Sequence, residues 1–221
     1  MVDKPPPDDK PAARAPRNQS GQTMGPKGKR TRQRLIAETI ALLETRRLRE
    51  LRVAEIARAA EIAPGTFYLY FAEVADVVLA AIEEAAQDTS EIVEIVSGDW
   101  CGASGLQTAT DLVRGYIAYW DQHHALFRVR NLAAEEGDPR FIAARVKSML
   151  PLLQALERQA ARAQQNGTLP ASLSPLATAG ALLAMLERLA SVHRLDQRSG
   201  DSTPERVADS AAFIIARTLM L

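Results

Sequence analysis

The chain has 221 residues, 47% of them hydrophobic and 5% aromatic, which is enough to bury one large core or two smaller ones. Its single cysteine, Cys101, excludes an intramolecular disulfide and a cysteine-based zinc site. The formal net charge is zero, but residues 1–34 carry nine basic and three acidic side chains, so the rest of the chain is net acidic. This uneven distribution suits a protein that holds a polyanion at one end.

No apolar run reaches the roughly 18 residues of a membrane span, and the first residues lack the apolar stretch of a signal peptide. We therefore expect a cytoplasmic protein with no membrane partner. Residues 1–26 hold six of the twelve prolines among charged and polar residues, which predicts a disordered basic arm. That arm is either a solvated tail without function or a segment that adds phosphate or minor-groove contacts to a nearby DNA-binding domain.

Helical periodicity begins after the arm and continues nearly to residue 221. Apolar residues at helical spacing first predict helices at about 29–45, 53–60 and 64–70. The periodicity then predicts longer helices at about 72–96, 106–122, 125–136, 139–166, 175–195 and 204–219. Glycine- and proline-containing breaks separate these segments, and no alternating strand pattern of useful length is present. The expected fold class is all-α, with about nine helices.

Residues 55–71, EIARAAEIAPGTFYLYF, contain a helix, a three-residue break at 61–63 and a short second helix opened by a proline. This is the layout of a helix-turn-helix, whose second helix enters the major groove of DNA. The core that fixes the two helices is expected to be Ile56, Ala57, Ala60, Ile62, Phe67 and Phe71. The residues left to face DNA are Pro64, Gly65, Thr66, Tyr68 and Tyr70.

Residues 29–80 resemble the DNA-binding domain of the TetR family of bacterial transcriptional regulators. The matching elements are Thr31-Arg32 in a basic first helix, Ile56-Ala57 and Ala60 in the second, and the run from Pro64 to Phe71. The resemblance implies an all-helical homodimer that binds a palindromic double-stranded DNA operator and is released by a small molecule. It also implies a helix-turn-helix domain at 27–72 and a helical ligand-binding and dimerisation domain at 73–221.

Four positions depart from the family pattern. Glu61 replaces the turn glycine, and Ala63 replaces a serine that caps the recognition helix, a cap typically worth ~1 kcal/mol. Arg52 replaces the threonine that opens the second helix, and Val74 replaces a lysine often found at a phosphate. We expect these changes to keep the fold but to weaken or redirect DNA affinity, with Arg52 and the basic arm as compensation.

Side chains at the start of a recognition helix lie deepest in the groove, so Gly65 and Thr66 are expected to contact base edges. Tyr68 and Tyr70 are expected to reach phosphates through their hydroxyls; the alternative is that they only pack. Sequence-independent contacts to the DNA backbone are expected from Lys29, Arg30, Arg32 and Arg52. For Lys29, Arg30 and Arg34 a solvated charged face is an equal alternative.

The last two predicted helices are the expected dimer interface. Residues 179–186 and 211–215 place small and apolar side chains on several faces, more than a surface helix can hide within its own domain. Two such helices from each subunit form a four-helix interface. The alternative is that they are ordinary core helices of a monomer.

The middle helices hold most of the remaining aromatic residues, which favours a mostly apolar cavity for a small, largely apolar ligand. The expected lining is Trp100, Tyr116, Tyr119, Trp120, His123, Phe127 and Met149, although an aromatic stripe at helical spacing is more often core. The acidic turn at 135–138 is surrounded by Arg128, Arg130, Arg140 and Arg145. These arginines either form ion pairs or bind a carboxylate- or phosphate-bearing ligand such as an acyl thioester.

No cofactor or metal is expected, because His123 and His124 are adjacent on a helix and point away from each other. An enzyme is not expected either, since the sequence has no nucleophile elbow, phosphate-binding loop, dinucleotide fingerprint or metal-ligand cluster. The features together predict a ligand-responsive, sequence-specific DNA-binding regulator, most often a repressor in this family. An activator of the same fold and a non-specific DNA binder are the alternatives.

Overall fold

The computed structural model describes residues 19, 22–194 and 203–220. Short 3-10 turns lie at Leu48–Glu50 and Ala86–Thr89. The α-helices within the described residues are α1 (Pro26–Leu43), α2 (Val53–Ala59), α3 (Pro64–Phe67), α4 (Val74–Ala85), α5 (Ser90–Val96), α6 (Gly102–Gln122), α7 (His124–Glu135), α8 (Pro139–Gln165), α9 (Pro175–His193) and α10 (Pro204–Leu219). The predicted all-α fold class is confirmed.

The predicted arm at 1–26 lies mostly outside the described residues, as does the end of the helix predicted at 175–195. The described part of the arm contacts the residues that follow α3. Met24 is buried, and the backbone N–H of Gln19 donates to the carbonyl of Leu69 at 3.0 Å. Because proline is tolerated in the first turn, α1 already begins at Pro26 instead of near residue 29.

The helix predicted at 72–96 is two helices, so the described residues contain ten instead of about nine. A 3-10 turn separates α4 from α5, and polar side chains in it bond to the local backbone. The Thr89 hydroxyl donates to the Ala86 carbonyl at 2.8 Å, and the Ser90 hydroxyl donates to the Gln87 carbonyl at 3.2 Å. Such side-chain bonds compete with the regular helical pattern.

The connection predicted at 97–105 is shorter in the structure, because α6 begins at Gly102. Gly105, in the first turns of α6, lies against the end of α10. A Cβ atom on Gly105 would lie 2.6 Å from the Trp100 carbonyl oxygen and 2.7 Å from Met220 Cγ. Only glycine therefore allows α6 to approach this closely.

Two groups of helices pack around a continuous apolar core. In the N-terminal group α1 packs on α2 and α4, and α2 packs on α3; in the C-terminal group α8 packs on α7 and α9, and α6 packs on α9 and α10. The helix α4 contacts α1, α7 and α8, so it joins the two groups. A change in the position of α4 would therefore move the helix-turn-helix relative to the C-terminal helices.

By length and composition alone, α9 is apolar enough to cross a membrane. Core helices of soluble proteins pass the same measure, and α9 packs between α6 and α8. It also carries a buried carboxylate, Glu187, that is paired with Arg130 of α7. We interpret α9 as a core helix with one uncovered apolar face.

Candidate DNA-binding and effector sites

The predicted recognition helix α3 is fixed in the core by two buried aromatic rings. Phe67 and Phe71 are almost fully buried, with ring centroids 5.9 Å apart. Pro64 and Gly65 are exposed, Thr66 is partly exposed, and the Tyr68 side chain is 54% exposed. The start of α3 therefore presents to solvent most of the residues predicted to face DNA.

Tyr70 is placed differently from Tyr68, because α3 ends at Phe67 and not at residue 70. The N–H groups of Leu69 and Tyr70 donate to carbonyls three residues back, so the chain turns more tightly there. The Tyr70 side chain is half-buried, and its hydroxyl lies 3.8 Å from the position of a Cβ on Gly28 of α1. Tyr70 thus lies between the end of the recognition helix and the start of α1.

The turn before α3 has the backbone geometry that usually selects glycine. Glu61 has φ = 52°, in the left-handed region that a side chain adopts only at a cost of ~1–2 kcal/mol. Its carboxylate lies 3.5 Å from Arg34, and both side chains are exposed. Ala63 is the N-cap of α3 and offers no side-chain cap, so both departures from the family pattern leave this turn less stable.

Helix α2 has a different arrangement at its start. The Glu55 carboxylate accepts a hydrogen bond from the Arg52 backbone N–H at 3.1 Å and from the Arg46 guanidinium at 2.9 Å. The hydrogen bond from Arg46 is the main cause of a pKa of Glu55 below its usual value. Glu55 therefore caps α2, and the side chain of Arg52 remains exposed at the helix start.

The basic residues of α1 do not share one environment. Lys29 and Arg30 are exposed. Arg32 is paired with Glu84 of α4 at 2.5 Å, and its guanidinium lies 5.4 Å from the centroid of the Phe71 ring. The charge of Arg32 therefore forms an ion pair that joins α1 to α4. The sequence did not predict this pair because Glu84 is 52 positions away.

Most of the aromatic residues predicted to line a ligand cavity pack on one another. Phe127 lies 5.0 Å from Tyr119, 5.3 Å from Trp120 and 5.6 Å from His123, measured between ring centroids. The Tyr119 hydroxyl donates to the Ala85 carbonyl at 3.3 Å, and burial raises the pKa of Tyr119 to about 12. These rings form an aromatic core that links α6 and α7 to the end of α4.

The remaining predicted ligand residues lie around this core or apart from it. Tyr116 is buried beside it, and burial raises the pKa of Tyr116 well above its usual value. Trp100 lies at the start of α6, where its indole N–H donates to the Val96 carbonyl at 2.8 Å. Met149 of α8 is partly buried, and His123 pairs with Asp88 at 2.9 Å. All seven residues are thus buried or partly buried among neighbouring side chains.

A buried ionic network lies beside the aromatic core. Arg130 donates to Glu187 at 2.9 Å and to the Ser148 hydroxyl at 2.9 Å, and Arg145 also pairs with Glu187. Burial lowers the pKa of Arg130, and the Glu187 carboxylate opposes that effect. Glu187 was missed by the sequence analysis; the signal for it was a single acidic residue within the apolar run of α9.

The four arginines around the acidic turn therefore do not all pair with that turn. Arg140 pairs with Asp138 at 2.9 Å, as the ion-pair alternative predicts, and also with Glu73. Arg130 and Arg145 bind Glu187 instead of the turn. Arg128 donates to the Leu43 backbone carbonyl at 2.7 Å, at the end of α1.

A cleft of about 1080 Å³ opens where the helix-turn-helix domain meets the C-terminal helices. We call it the domain-junction cleft. Its walls are the connection between α1 and α2, the start of α4, the outer face of α7 and the turn into α8; the lining residues are Arg47, Leu48, Arg49, Ala75, Arg128, Val129, Leu132, Ala133 and residues 136–141. Among the residues that the structure describes, no group of three or more His, Cys, Asp or Glu side chains is arranged to hold a metal ion.

The comparisons with known proteins agree with this geometry. No curated protein matches the chain. The chain is structurally similar to the fatty acid degradation regulator FadR of Bacillus halodurans (TM-score 0.67, 16% identity, 88% of this chain and 97% of that one). It is also similar to FadR of Bacillus subtilis in complex with stearoyl-CoA (0.66, 15%, 84% and 98%) and to a TetR-family regulator of Streptomyces coelicolor (0.64, 19%, 87% and 80%).

These identities are low, so the structural similarities establish the fold alone. The family follows from the sequence of the C-terminal helices, because residues 89–209, more than half of the chain, match the model of the tetracyclin repressor-like C-terminal domain. The predicted family is thereby confirmed. With its helix-turn-helix and this C-terminal domain, the chain belongs to the TetR family of transcriptional regulators.

Proposed function

We propose that this regulator is a cytoplasmic homodimeric repressor that binds a palindromic operator and leaves it when a small molecule binds. The observation that carries the proposal is the exposed start of α3, which is supported from below by buried Phe67 and Phe71. A dimer places two such helices one turn of DNA apart, which gives both affinity and palindromic specificity. The matched family supports the general mode of action.

Gly65 and Thr66 contact base edges in this proposal, and Pro64 sets the start of the helix that carries them. Tyr68 reaches a phosphate through its exposed hydroxyl. Lys29, Arg30 and Arg52 are exposed and contact the DNA backbone. Arg32 and Tyr70 contribute indirectly, since Arg32 pairs with Glu84 and Tyr70 lies against the start of α1.

The dimer forms through α9 and α10, which leave an apolar surface uncovered. Phe213 and Ile214 of α10 are about half exposed, at 56% and 49%, and Leu176 of α9 is 50% exposed. Small exposed residues of α9 allow close approach of a partner helix: Ala177, Ala181 and Ala184. Exposure of this much apolar side chain on two adjacent helices is typical of an interface.

The test of DNA binding is selection of short duplexes from a random library, followed by fluorescence anisotropy at two salt concentrations. We expect a palindrome whose affinity falls steeply with salt, because basic side chains release counterions from phosphates. The variant Thr66→Ala should bind the selected palindrome about 5- to 30-fold more weakly, equivalent to ~1–2 kcal/mol. Thr110→Ala on α6 is the matched control and should bind normally. Sequence-blind binding by the wild-type protein would overturn the proposal.

The test of the dimer is sedimentation of Phe213→Glu, which should be monomeric because it buries a charge in the interface. Val146→Glu is the matched control, since Val146 is an exposed apolar residue on α8. If both variants sediment as the wild-type protein does, the interface lies elsewhere.

A further inference from the structure

We propose that the domain-junction cleft is an effector site for an amphipathic anion, a molecule with a carboxylate or phosphate head and an apolar body. The inference builds on the proposed function, because it names the ligand class that would release the operator. It places that ligand between the two domains and not in the aromatic core of α6 and α7. Its basis is the charge, the apolar lining and the position of the cleft.

The lining of the cleft is net positive, because it has four arginines and two carboxylates. Arg47 and Arg49 line one wall, and neither guanidinium forms an ion pair within the part of the chain that the structure describes. Arg128 lines the cleft from α7, and its guanidinium donates to a backbone carbonyl. Arg140 is already neutralised by Asp138, and Glu136 is the one remaining carboxylate in the lining. Arginines from two parts of one cleft are well suited to hold a carboxylate or phosphate.

The rest of the cleft is apolar. Leu48 comes from the connection after α1, and Val129 and Leu132 come from α7. Leu132 is 49% exposed although it lines a concave surface, and Phe141, another lining residue, is buried. A volume of about 1080 Å³ is at the upper end of the range for small-molecule sites, so an extended apolar body fits beside the charged head.

The position of the cleft connects its occupancy to DNA binding. Two polar contacts join α7 to the end of α1 beside it: Arg128 donates to the Leu43 carbonyl at 2.7 Å, and His124 pairs with Glu44 at 2.9 Å. A ligand head group that binds the Arg128 guanidinium competes with its hydrogen bond to the Leu43 carbonyl. Binding therefore loosens one link between α7 and the helix-turn-helix domain and shifts the domain arrangement.

The experiment is calorimetry on the full chain without DNA, with decanoate, decyl phosphate and decanol as probes below their micellar concentrations. We expect saturable binding of one decanoate or decyl phosphate per chain and at least tenfold weaker binding of decanol. The two anionic probes distinguish a carboxylate ligand from a phosphate ligand. The double variant Arg47→Gln with Arg49→Gln should bind both anions at least tenfold more weakly, and Leu132→Gln should weaken binding through the apolar body. Arg162→Gln, an exposed arginine of α8, is the matched control.

The second measurement is operator affinity of the same proteins with and without the better probe. We expect the probe to weaken operator binding of the wild-type protein and of Arg162→Gln, but not of the double variant. Three results overturn the inference: equal probe binding by wild-type protein and double variant, equal binding of decanol and decanoate, or a double variant that has lost operator affinity without probe. Arginine-dependent probe binding by a protein that binds no operator would keep the site and overturn the proposed function.

Discussion

The helix-turn-helix region and the C-terminal helices place their aromatic side chains in opposite ways. In the helix-turn-helix, Phe67 and Phe71 are buried while Tyr68, directly between them in sequence, is 54% exposed. In the C-terminal helices, Tyr119 and Phe127 are both buried and pack ring on ring. Aromatic identity alone therefore does not separate a binding residue from a core residue; exposure does, and exposure depends on which helices cover each side.

The two regions also differ in how their polar groups affect stability. The turn before α3 carries a left-handed Glu61 and an N-cap, Ala63, without a capping side chain. The C-terminal helices instead enclose Arg130 and Glu187 in a fully paired network. We infer that the recognition helix is the weaker part of the molecule, and that the C-terminal helices lose stability sharply only when a buried charge is left unpaired.

The sharpest test of this comparison is Glu187→Gln. The change leaves Arg130 buried without its carboxylate, and breaking one partner of a buried pair typically costs about 3–5 kcal/mol in the free energy of unfolding. Urea unfolding followed by circular dichroism measures the loss. Glu94→Gln, at an exposed residue of α5, is the matched control and should change the stability by less than about 0.5 kcal/mol. An equally small effect of both variants would mean that the network contributes little.

A smaller effect is expected at alkaline pH, and it should arise in the C-terminal helices. Burial raises the pKa of Tyr116 and Tyr119 in the folded protein, whereas the unfolded chain ionises near the ordinary value. The two neutral tyrosines contribute fully to the free energy of unfolding below about pH 10, and this contribution is lost as the pH rises above that value. We expect the free energy of unfolding to fall by about 2–3 kcal/mol between about pH 8 and about pH 11. Urea unfolding at both pH values measures the loss. Tyr119→Phe should remove about half of this pH-dependent loss of stability. Tyr68→Phe, at an exposed tyrosine, should leave the loss unchanged.

The smallest effect is expected in the turn of the helix-turn-helix. Glu61→Gly should stabilise the protein by ~1 kcal/mol relative to Glu61→Ala, because only glycine removes the strain of the left-handed backbone. Both variants remove the negative charge near DNA, so both should bind operator more tightly at low salt. Thermal unfolding and anisotropy separate the two contributions. Equal stability of the glycine and alanine variants would show that the turn is not strained.

Much of the fold followed from local sequence. Residues 64–71 and the apolar periodicity of α8 and α10 predicted the right elements, because helix starts and apolar stripes are set by neighbours a few positions apart. The same periodicity predicted that α3 continues to Tyr70 and that α4 and α5 are one helix. Both elements end earlier because hydrogen bonds tighten the backbone at these two points.

The sequence by itself determined the all-helical class, the helix-turn-helix and the family, because these depend on local patterns. Only the tertiary structure decided which charges meet, since Arg130 and Glu187 are 57 positions apart and Arg32 and Glu84 are 52 apart. It also decided that the aromatic rings of α6 and α7 pack into a core while an arginine-lined cleft opens at the domain junction. The physical reason is that burial and pairing depend on helix packing, which brings together residues that no local pattern connects.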